Sequence, residues 1–190
     1  MPDRIAIIDR RIMSQADGVY RRDYGSWVEG AVQTLVVERD SNRRLIDWVV
    51  ETAGDVGPPV DLDMIAHGGG GTLGESRDVI YVLRLGTPGI YSVNVHQWED
   101  VRGLIRKIRV YSCGVQSSAF PAGTFTATSS ASQHQLMKAL AARTNATVKY
   151  SLNTMSGDVT RRELSQSYST DRMASPVFIT DPSGGARRIR

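Results

Sequence analysis

Two stretches of sequence, LDMIAHG at residues 62–68 and IRVYSCG at residues 108–114, decide how this chain is expected to fold. Each begins as a short apolar run that suits a buried strand, and each ends in a polar residue followed by glycine. The polar residue is His67 in the first stretch and Cys113 in the second. If both strands belong to one parallel sheet, the two residues lie at the edge where α/β sheets form their sites.

The rest of the chain alternates strand and helix signals. Apolar or β-branched runs predict further strands at residues 5–8, 31–37, 79–85, 90–95, 146–151 and 176–180. Apolar spacing predicts helices from Ser41 to Gly54, over 97–106 and over 136–142, with a loop at 117–132. This alternation indicates an α/β fold with a mainly parallel sheet. We expect a single domain over residues 1–180 and a flexible basic tail over residues 181–190.

Composition and charge narrow the class of protein. The chain is 41% hydrophobic and 23% charged, which is ordinary for a globular domain, and no apolar run approaches the roughly 20 residues that span a bilayer. The net charge is +3, but the basic residues are scattered among acids, which does not favour nucleic-acid binding. The amino terminus, MPDRIAIIDR, has too short an apolar run for a secretory signal. These features indicate a cytoplasmic protein, or one exported without a cleaved signal, and no membrane segment.

One cysteine and three histidines limit the chemistry of the side chains. The lone Cys113 excludes an intramolecular disulfide and leaves either a small buried hydrophobe or a nucleophile. A thiol nucleophile needs a neighbouring base and backbone N–H donors for the oxyanion. His67, 46 residues before Cys113, can supply the base, and Gly68 can supply an N–H. His96 and His134 are expected at the surface without metal-ligand spacing, so the sequence predicts no metal and no cofactor.

The two blocks resemble those of the caspase-like (clan CD) cysteine peptidases, in particular bacterial caspase-like domains such as those within toxins. The resemblance implies a caspase-like three-layer sandwich that hydrolyses a protein or peptide substrate. It implies a Cys113–His67 dyad, with the N–H groups of Gly68 and Cys113 as the oxyanion hole. The Gln-Ala-Cys signature of animal caspases is absent, because Tyr111 and Ser112 precede the cysteine.

Residues after the first strand are expected to contact the substrate. In the resembled family a charged residue at this place lines the pocket for P1, the residue before the scissile bond. Asp9 would favour a basic P1 and Arg10 an acidic one, and the preferred interpretation is Asp9 with a basic P1. Ser112 is a further predicted substrate contact. With a basic P1, the arginine pair at residues 161–162 would be a site of autoprocessing.

Other interpretations stay open at this point. His67 and the four glycines after it resemble the oxyanion loop of some lipases and esterases, although no Gly-x-Ser-x-Gly elbow follows. No Gly-Lys-Ser/Thr follows the glycines, which excludes a phosphate loop. A caspase-like interaction module without catalysis is a third possibility. Asp63, on the strand before His67, either orients the imidazole or is a simple strand-face acid.

Overall fold

The structure is a computed structural model, and it describes residues 3–11, 30–72, 79–112, 127–152 and 177–189. The strands are β1 (Arg4–Asp9), β2 (Gln33–Val37), β3 (Val60–Ile65), β4 (His67–Thr72), β5 (Val79–Arg84), β6 (Ile105–Tyr111), β7 (Thr147–Ser151), β8 (Val177–Thr180) and β9 (Ala186–Arg188). The helices are α1 (Asn42–Val56), a 3-10 helix (Val95–Val101) and α2 (Ala127–Thr144).

Seven strands form one sheet in the order β2-β1-β3-β6-β7-β8-β9. The pairs from β2 to β7 are parallel, and β8 and β9 are added antiparallel at one edge. β4 and β5 form a separate antiparallel ribbon. The predicted α/β fold with a mainly parallel sheet is therefore confirmed.

The hydrophobic core lies against one face of the sheet. Alternate residues of a strand point to the same face. In β1 and β3 the core residues are Ile5, Ile7, Val60, Leu62 and Met64, which are completely buried. α1, the 3-10 helix and α2 contribute their own buried apolar side chains to the same cluster, and the largest of them is Trp98 of the 3-10 helix. Burying this apolar surface is the main favourable contribution to folding.

α1 begins at the predicted capping residue. The Ser41 side chain accepts a hydrogen bond from the Arg44 N–H at 3.3 Å, which satisfies one of the unpaired N–H groups of the first turn. The helix continues past the predicted end at Gly54 and stops before Gly57. Gly57 has a φ of 102°, a conformation that suits glycine because it carries no Cβ.

The opposite face of the sheet is also buried, and it carries charge. Asp63 of β3 accepts a hydrogen bond from Nε of Arg109 in β6 at 2.6 Å, and it lies 3.5 Å from Nη1 of Arg4 in β1. The Asp63 side chain is 1% exposed, and those of Arg109 and Arg4 are 12% and 15% exposed. Nearby, Asp61 pairs with Arg106 at 2.9 Å. These contacts make Asp63 a strand-face acid, one of the two roles that its position in the sequence allowed.

The 3-10 helix replaces an expected α-helix. The apolar stripe over 97–106 predicted an α-helix, but the 3-10 helix ends at Val101 and β6 begins at Ile105. A spacing of three residues, as between Trp98 and Val101, puts side chains on one side of either helix type, so the stripe did not distinguish them. No helix in the described part of the chain is long and apolar enough to cross a membrane.

α2 is longer than the sequence indicated. The predicted helix begins at residue 136, whereas α2 begins at Ala127, inside the predicted loop. The first turns of α2 are polar, so no apolar stripe marked them. Tertiary contacts hold this part of the helix, because the buried Gln133 amide donates a hydrogen bond to the Ser151 carbonyl at 2.9 Å.

The segment expected to be a flexible tail contains a strand. Residues 186–188 form β9, which pairs antiparallel with β8. The Asp181 carboxylate shapes the preceding turn by accepting hydrogen bonds from the N–H groups of Ser183, at 3.0 Å, and Gly185, at 3.1 Å. The polar residues and glycines on which the flexible tail was predicted therefore form the turn of a hairpin between β8 and β9.

Candidate active site

The parallel pairing of β3 with β6 brings the two sequence blocks to one edge of the sheet. Ile65 at the end of β3 lies opposite Tyr111 at the end of β6. One residue further, the Ala66 N–H donates a hydrogen bond to the Tyr111 carbonyl at 3.1 Å. His67 follows directly and begins β4. Cys113 comes two residues after Tyr111 in the sequence and lies outside the described residues.

The His67 imidazole is half-buried, and its Nε2 atom is shielded from water without a hydrogen-bond partner among the described residues. Burial lowers the pKa of His67, because the charged ring loses hydration. A hydrogen bond with the Arg11 backbone and the charge of Asp9 oppose this decrease in pKa, while the charges of Arg11 and Arg84 add to it. Nε2 is thus a ring nitrogen that no described residue occupies.

Asp9 and Arg11 form a clamp beside this histidine. Arg11 donates hydrogen bonds from Nε and Nη2 to the two carboxylate oxygens of Asp9, at 2.8 and 2.6 Å. The same Nη2 donates to the carbonyl oxygens of Arg84 and Gly86, at 3.1 and 3.0 Å. Arg84 lies opposite His67 in the β4–β5 ribbon. The Asp9–Arg11 clamp therefore fastens the end of β1 to the strand pair that carries His67.

The two predicted P1-pocket residues differ in their surroundings. Asp9 is completely buried and its carboxylate is occupied by Arg11, so a basic P1 side chain would have to replace that guanidinium. Arg10 is exposed and lies 3.6 Å from Glu38. Of the two residues, Asp9 is the one whose charge acts on His67. A contact of Asp9 or Arg10 with P1 stays a prediction. The predicted autoprocessing site at residues 161–162 lies outside the described residues.

Ser112 is held inside the protein at the end of β6. It is buried, and its Oγ lies 2.7 Å from Oη of Tyr81 in β5. Tyr81 is also buried, and its N–H donates to the Ser132 hydroxyl of α2 at 2.9 Å. The end of β6 is thereby joined to the ribbon and to α2. A direct contact between Ser112 and substrate stays a prediction.

The hydrogen-bond pattern of the ribbon directs the Gly68 N–H away from β5. Gly68 lies opposite Leu83, and Leu83 exchanges two hydrogen bonds with Ile90 on its other side, at 2.9 and 2.8 Å. This single bridge forms where a strand over 90–95 was predicted. In an antiparallel pair of strands, two residues that lie opposite each other either bond to each other or both point their N–H and C=O groups away from the partner strand. Leu83 bonds to Ile90 instead of Gly68, so the backbone groups of Gly68 point away from β5. The Gly68 N–H is therefore not used within the ribbon, as an oxyanion donor requires. The N–H of Cys113 lies outside the described residues.

Sequence analysis missed two residues of this site. Arg11 could have been found, because Asp9 shares its strand face with the buried Ile7, and a buried carboxylate needs a cationic or N–H partner. Tyr81 carried no such signal. Its partner Ser112 directly follows β6, a strand of the other sheet, and only the packing of the ribbon on that sheet brings the two hydroxyls together.

The other two histidines belong to different surroundings. His96 is exposed, and its Nδ1 lies 2.9 Å from the Val93 carbonyl oxygen. His134, expected to face solvent, is instead half-buried, and its ring packs edge-on against Phe178 and Tyr150. Burial lowers the pKa of His134. Within the described ranges, no three histidine, cysteine or acidic side chains are grouped as a metal site would need.

Protonation of His67 is expected to destabilise the folded protein. Because the folded pKa lies below the ordinary value of 6.5, the unfolded chain binds the proton first on acidification, and the free energy of unfolding falls below about pH 6.5. His67→Gln removes this contribution and leaves that of His134, which has the same sign. In urea unfolding, His67→Gln should therefore lose less stability than the wild type between pH 7 and pH 5. An equal loss in both proteins would contradict the buried, neutral state of His67.

Comparison with protein-family models, curated proteins and solved structures finds no match to this chain. An α/β fold hosts many activities, so it does not by itself define one. The function of the chain is therefore inferred from the residues and geometry of this sheet edge.

Proposed function

We propose that this chain is a caspase-like cysteine endopeptidase with Cys113 as nucleophile and His67 as general base. The register of β3 and β6 carries the proposal. Ile65 lies opposite Tyr111, so His67 and Cys113 each follow a paired strand end by two residues. Parallel strands that end side by side send the residues after them to one sheet edge. The strand order and the mainly parallel sheet support the caspase-like three-layer arrangement.

In the proposed reaction, Nε2 of His67 takes the proton of the Cys113 thiol, and the thiolate attacks the carbonyl carbon of the scissile bond. A C–S bond forms, and the Gly68 N–H stabilises the negative carbonyl oxygen. The C–N bond then breaks, and the leaving amine takes its proton from His67. Water, deprotonated by His67, hydrolyses the thioester and regenerates the thiol.

Two features of His67 support this role. The lowered pKa keeps the imidazole neutral near pH 7, so it can accept the thiol proton. Nε2 is shielded from water and has no hydrogen-bond partner among the described residues, so it is available as the accepting atom.

The structure of β4 and the contact of Ser112 favour a cysteine peptidase over a serine esterase. An esterase would use the glycines after His67 as an oxyanion loop and a nearby serine as nucleophile. In the structure, residues 67–72 form β4, which is paired along its length with β5. The Ser112 hydroxyl is buried against Tyr81 rather than against an imidazole.

Labelling with peptidyl acyloxymethyl ketones tests the proposed function. Reagents with Arg, Asp or Leu at P1 are expected to alkylate Cys113, and mass spectrometry of the digested protein identifies the labelled residue. Cys113→Ala is expected to abolish labelling, and His67→Ala to slow it by about 10²–10⁴-fold. The fastest rate with the Arg reagent would support Asp9 as a P1 contact.

His96→Ala is the matched control, because His96 is an exposed histidine of the 3-10 helix whose Nδ1 lies against the Val93 carbonyl. It is expected to label at the wild-type rate. A folded wild-type protein that none of the reagents labels would contradict the peptidase and favour the non-catalytic interaction module.

A further inference from the structure

The β4–β5 ribbon has one face in the hydrophobic core and one face that is partly open. Tyr81 and Leu83 of β5 are buried in the core. Val82 and Arg84, which alternate with them, are half-buried and exposed. Residues that lie opposite each other in an antiparallel pair have their side chains on the same face. His67 lies opposite Arg84, so its imidazole is on the open face, and Tyr81 is on the core face.

On the core face, the Tyr81 side chain reaches the end of β6. Its Oη lies 2.7 Å from Oγ of Ser112, and the two residues are 1% and 4% exposed. Ser112 is the residue directly before Cys113. The hydrogen bond between the two hydroxyls therefore links the ribbon that carries His67 to the strand end that precedes the candidate nucleophile.

Backbone contacts hold the ribbon and the sheet together around this link. The Ala66 N–H donates to the Tyr111 carbonyl at 3.1 Å, and Nη2 of Arg11 donates to the Arg84 carbonyl at 3.1 Å. Ser112 comes one residue after Tyr111, the last residue of β6. The Tyr81–Ser112 hydrogen bond therefore extends the connection between ribbon and sheet by one residue toward Cys113.

The direction of the Ser112 side chain matters more here than the stability that its hydrogen bond supplies. A buried hydroxyl loses its hydration, and replacing both partners of such a bond with apolar groups of the same shape is nearly neutral for stability. The bond with Tyr81 does, however, hold the Ser112 side chain on the core side. If the chain stays extended for one more residue, the next side chain points to the opposite side, where the open face of the ribbon carries His67.

We propose that Tyr81 is a positioning residue, whose hydroxyl holds Ser112 toward the core and thereby directs the Cys113 thiol toward Nε2 of His67. This inference rests on the proposed function and concerns how its two reacting groups are brought together. Tyr81 acts through Ser112 and does not touch the substrate. Without the Tyr81 hydroxyl, Ser112 is free to rotate, and the thiol is no longer held within reach of the imidazole.

Tyr81→Phe tests this role, because it removes Oη and keeps the buried ring. It is expected to slow the labelling of Cys113 by the peptidyl acyloxymethyl ketones about tenfold, through misplacement of the thiol. The pH profile of the iodoacetamide reaction is the second readout. An activated thiol reacts below its ordinary pKa of about 8.5, so the pH of half-maximal rate is expected to rise toward that value in Tyr81→Phe. Iodoacetamide needs no substrate pocket, so this shift reports on the thiol itself.

Tyr150→Phe is the matched control. Tyr150 of β7 is completely buried, and its Oη lies 3.4 Å from Oγ1 of Thr180 and within hydrogen-bond distance of Nδ1 of His134. The control therefore makes the same chemical change, the loss of one buried phenolic hydroxyl, at another place in the fold. It is expected to label at the wild-type rate and to keep the wild-type pH profile. Equal slowing in both variants would assign the effect to general loss of packing and overturn the positioning role.

Ser112→Ala removes the other hydroxyl of the pair. It is expected to raise the midpoint of the iodoacetamide profile as Tyr81→Phe does. The double variant, Tyr81→Phe with Ser112→Ala, is expected to react no more slowly than either single variant, because the hydrogen bond is already lost in each. Effects that multiply in the double variant would overturn the inference, since the two hydroxyls would then act independently.

The outcomes separate this inference from the proposed function. A wild-type labelling rate and pH profile in folded Tyr81→Phe would overturn the positioning role and leave the peptidase standing. No labelling of wild-type Cys113 by iodoacetamide or by any peptidyl reagent would overturn the peptidase and the positioning role together. If Tyr81→Phe does not fold, Ser112→Ala decides: a raised midpoint supports the inference, and a wild-type midpoint overturns it.

Discussion

Replacing Asp63 by alanine is expected to lower the free energy of unfolding by about 3–5 kcal/mol, the usual cost of breaking a buried ion pair. The carboxylate is buried on the sheet face opposite the hydrophobic core, where it binds Arg109 at 2.6 Å and lies 3.5 Å from Arg4. Both guanidinium groups are mostly buried, so the loss of Asp63 removes the acid that pairs with Arg4 among the described residues and leaves Arg109 with the more distant Asp61, at 4.0 Å. Arg4 depends on this acid strongly, because its Nε already has no partner among the described residues.

Asp61→Ala is the matched control for this prediction. Asp61 lies two residues earlier on the same strand face. Its nearer partner Arg106 is 53% exposed, and Arg109, at 4.0 Å from Asp61, keeps its 2.6 Å contact with Asp63, so the expected loss is less than about 1 kcal/mol. Urea unfolding of the two variants measures the contrast. Folded Asp63→Ala should still label at Cys113 at the wild-type rate, because Asp63 binds arginines rather than the site. A loss below about 1 kcal/mol for Asp63→Ala would contradict the buried ion pairs.

The strands that carry the Asp63 ion pairs could be predicted from the sequence, but the ion pairs themselves could not. β1, β3 and β6 were predicted because parallel strands, covered on both faces, are marked by short apolar runs. All six residues of β3 are buried, including Asp61 and Asp63. Two acids in such a run do not indicate what binds them, since Arg109 and Arg106 lie on β6, more than 40 residues away. Only the order of strands in the sheet brings these charges together.

The candidate site also contains residues that the sequence pattern could identify and a strand that it could not. His67 and Gly68 could be selected because strand ends are marked in the sequence, and the structure places His67 two residues after the end of β3, at the start of β4. β4 itself could not be predicted. Four glycines have no side chains to alternate, and glycine has low strand propensity. The strand forms because β5, with an apolar pattern of its own, supplies its partner. The hydrogen-bond pattern that directs the Gly68 N–H outward is likewise set by a contact of β5, the pair of bonds between Leu83 and Ile90.

Asp9→Ala is expected to lower the pKa of His67 and to destabilise the fold by about 2–4 kcal/mol. The negative charge of Asp9 raises the pKa of His67, whereas the charge of Arg11 lowers it. Removing the acid leaves the charge of Arg11 without that opposing negative charge, so the pKa of His67 should fall and His67 should titrate at lower pH. The stability cost is smaller than at Asp63, since the Arg11 side chain is 41% exposed and can recover hydration, but the Gly86 N–H also loses its acceptor.

NMR titration of the histidine rings measures this effect directly, because the chain has only three histidines and His67→Gln assigns the signal of interest. The His67 midpoint should move to lower pH in Asp9→Ala, with those of His96 and His134 unchanged. Glu38→Ala is the control, since it removes an acid that pairs with Arg10 at the surface. A His67 midpoint that stays in place or rises in Asp9→Ala would show that the Asp9–Arg11 clamp does not control the base. With the midpoint lowered, the acid limb of Cys113 labelling should move with it, because the same imidazole must be neutral to take the thiol proton.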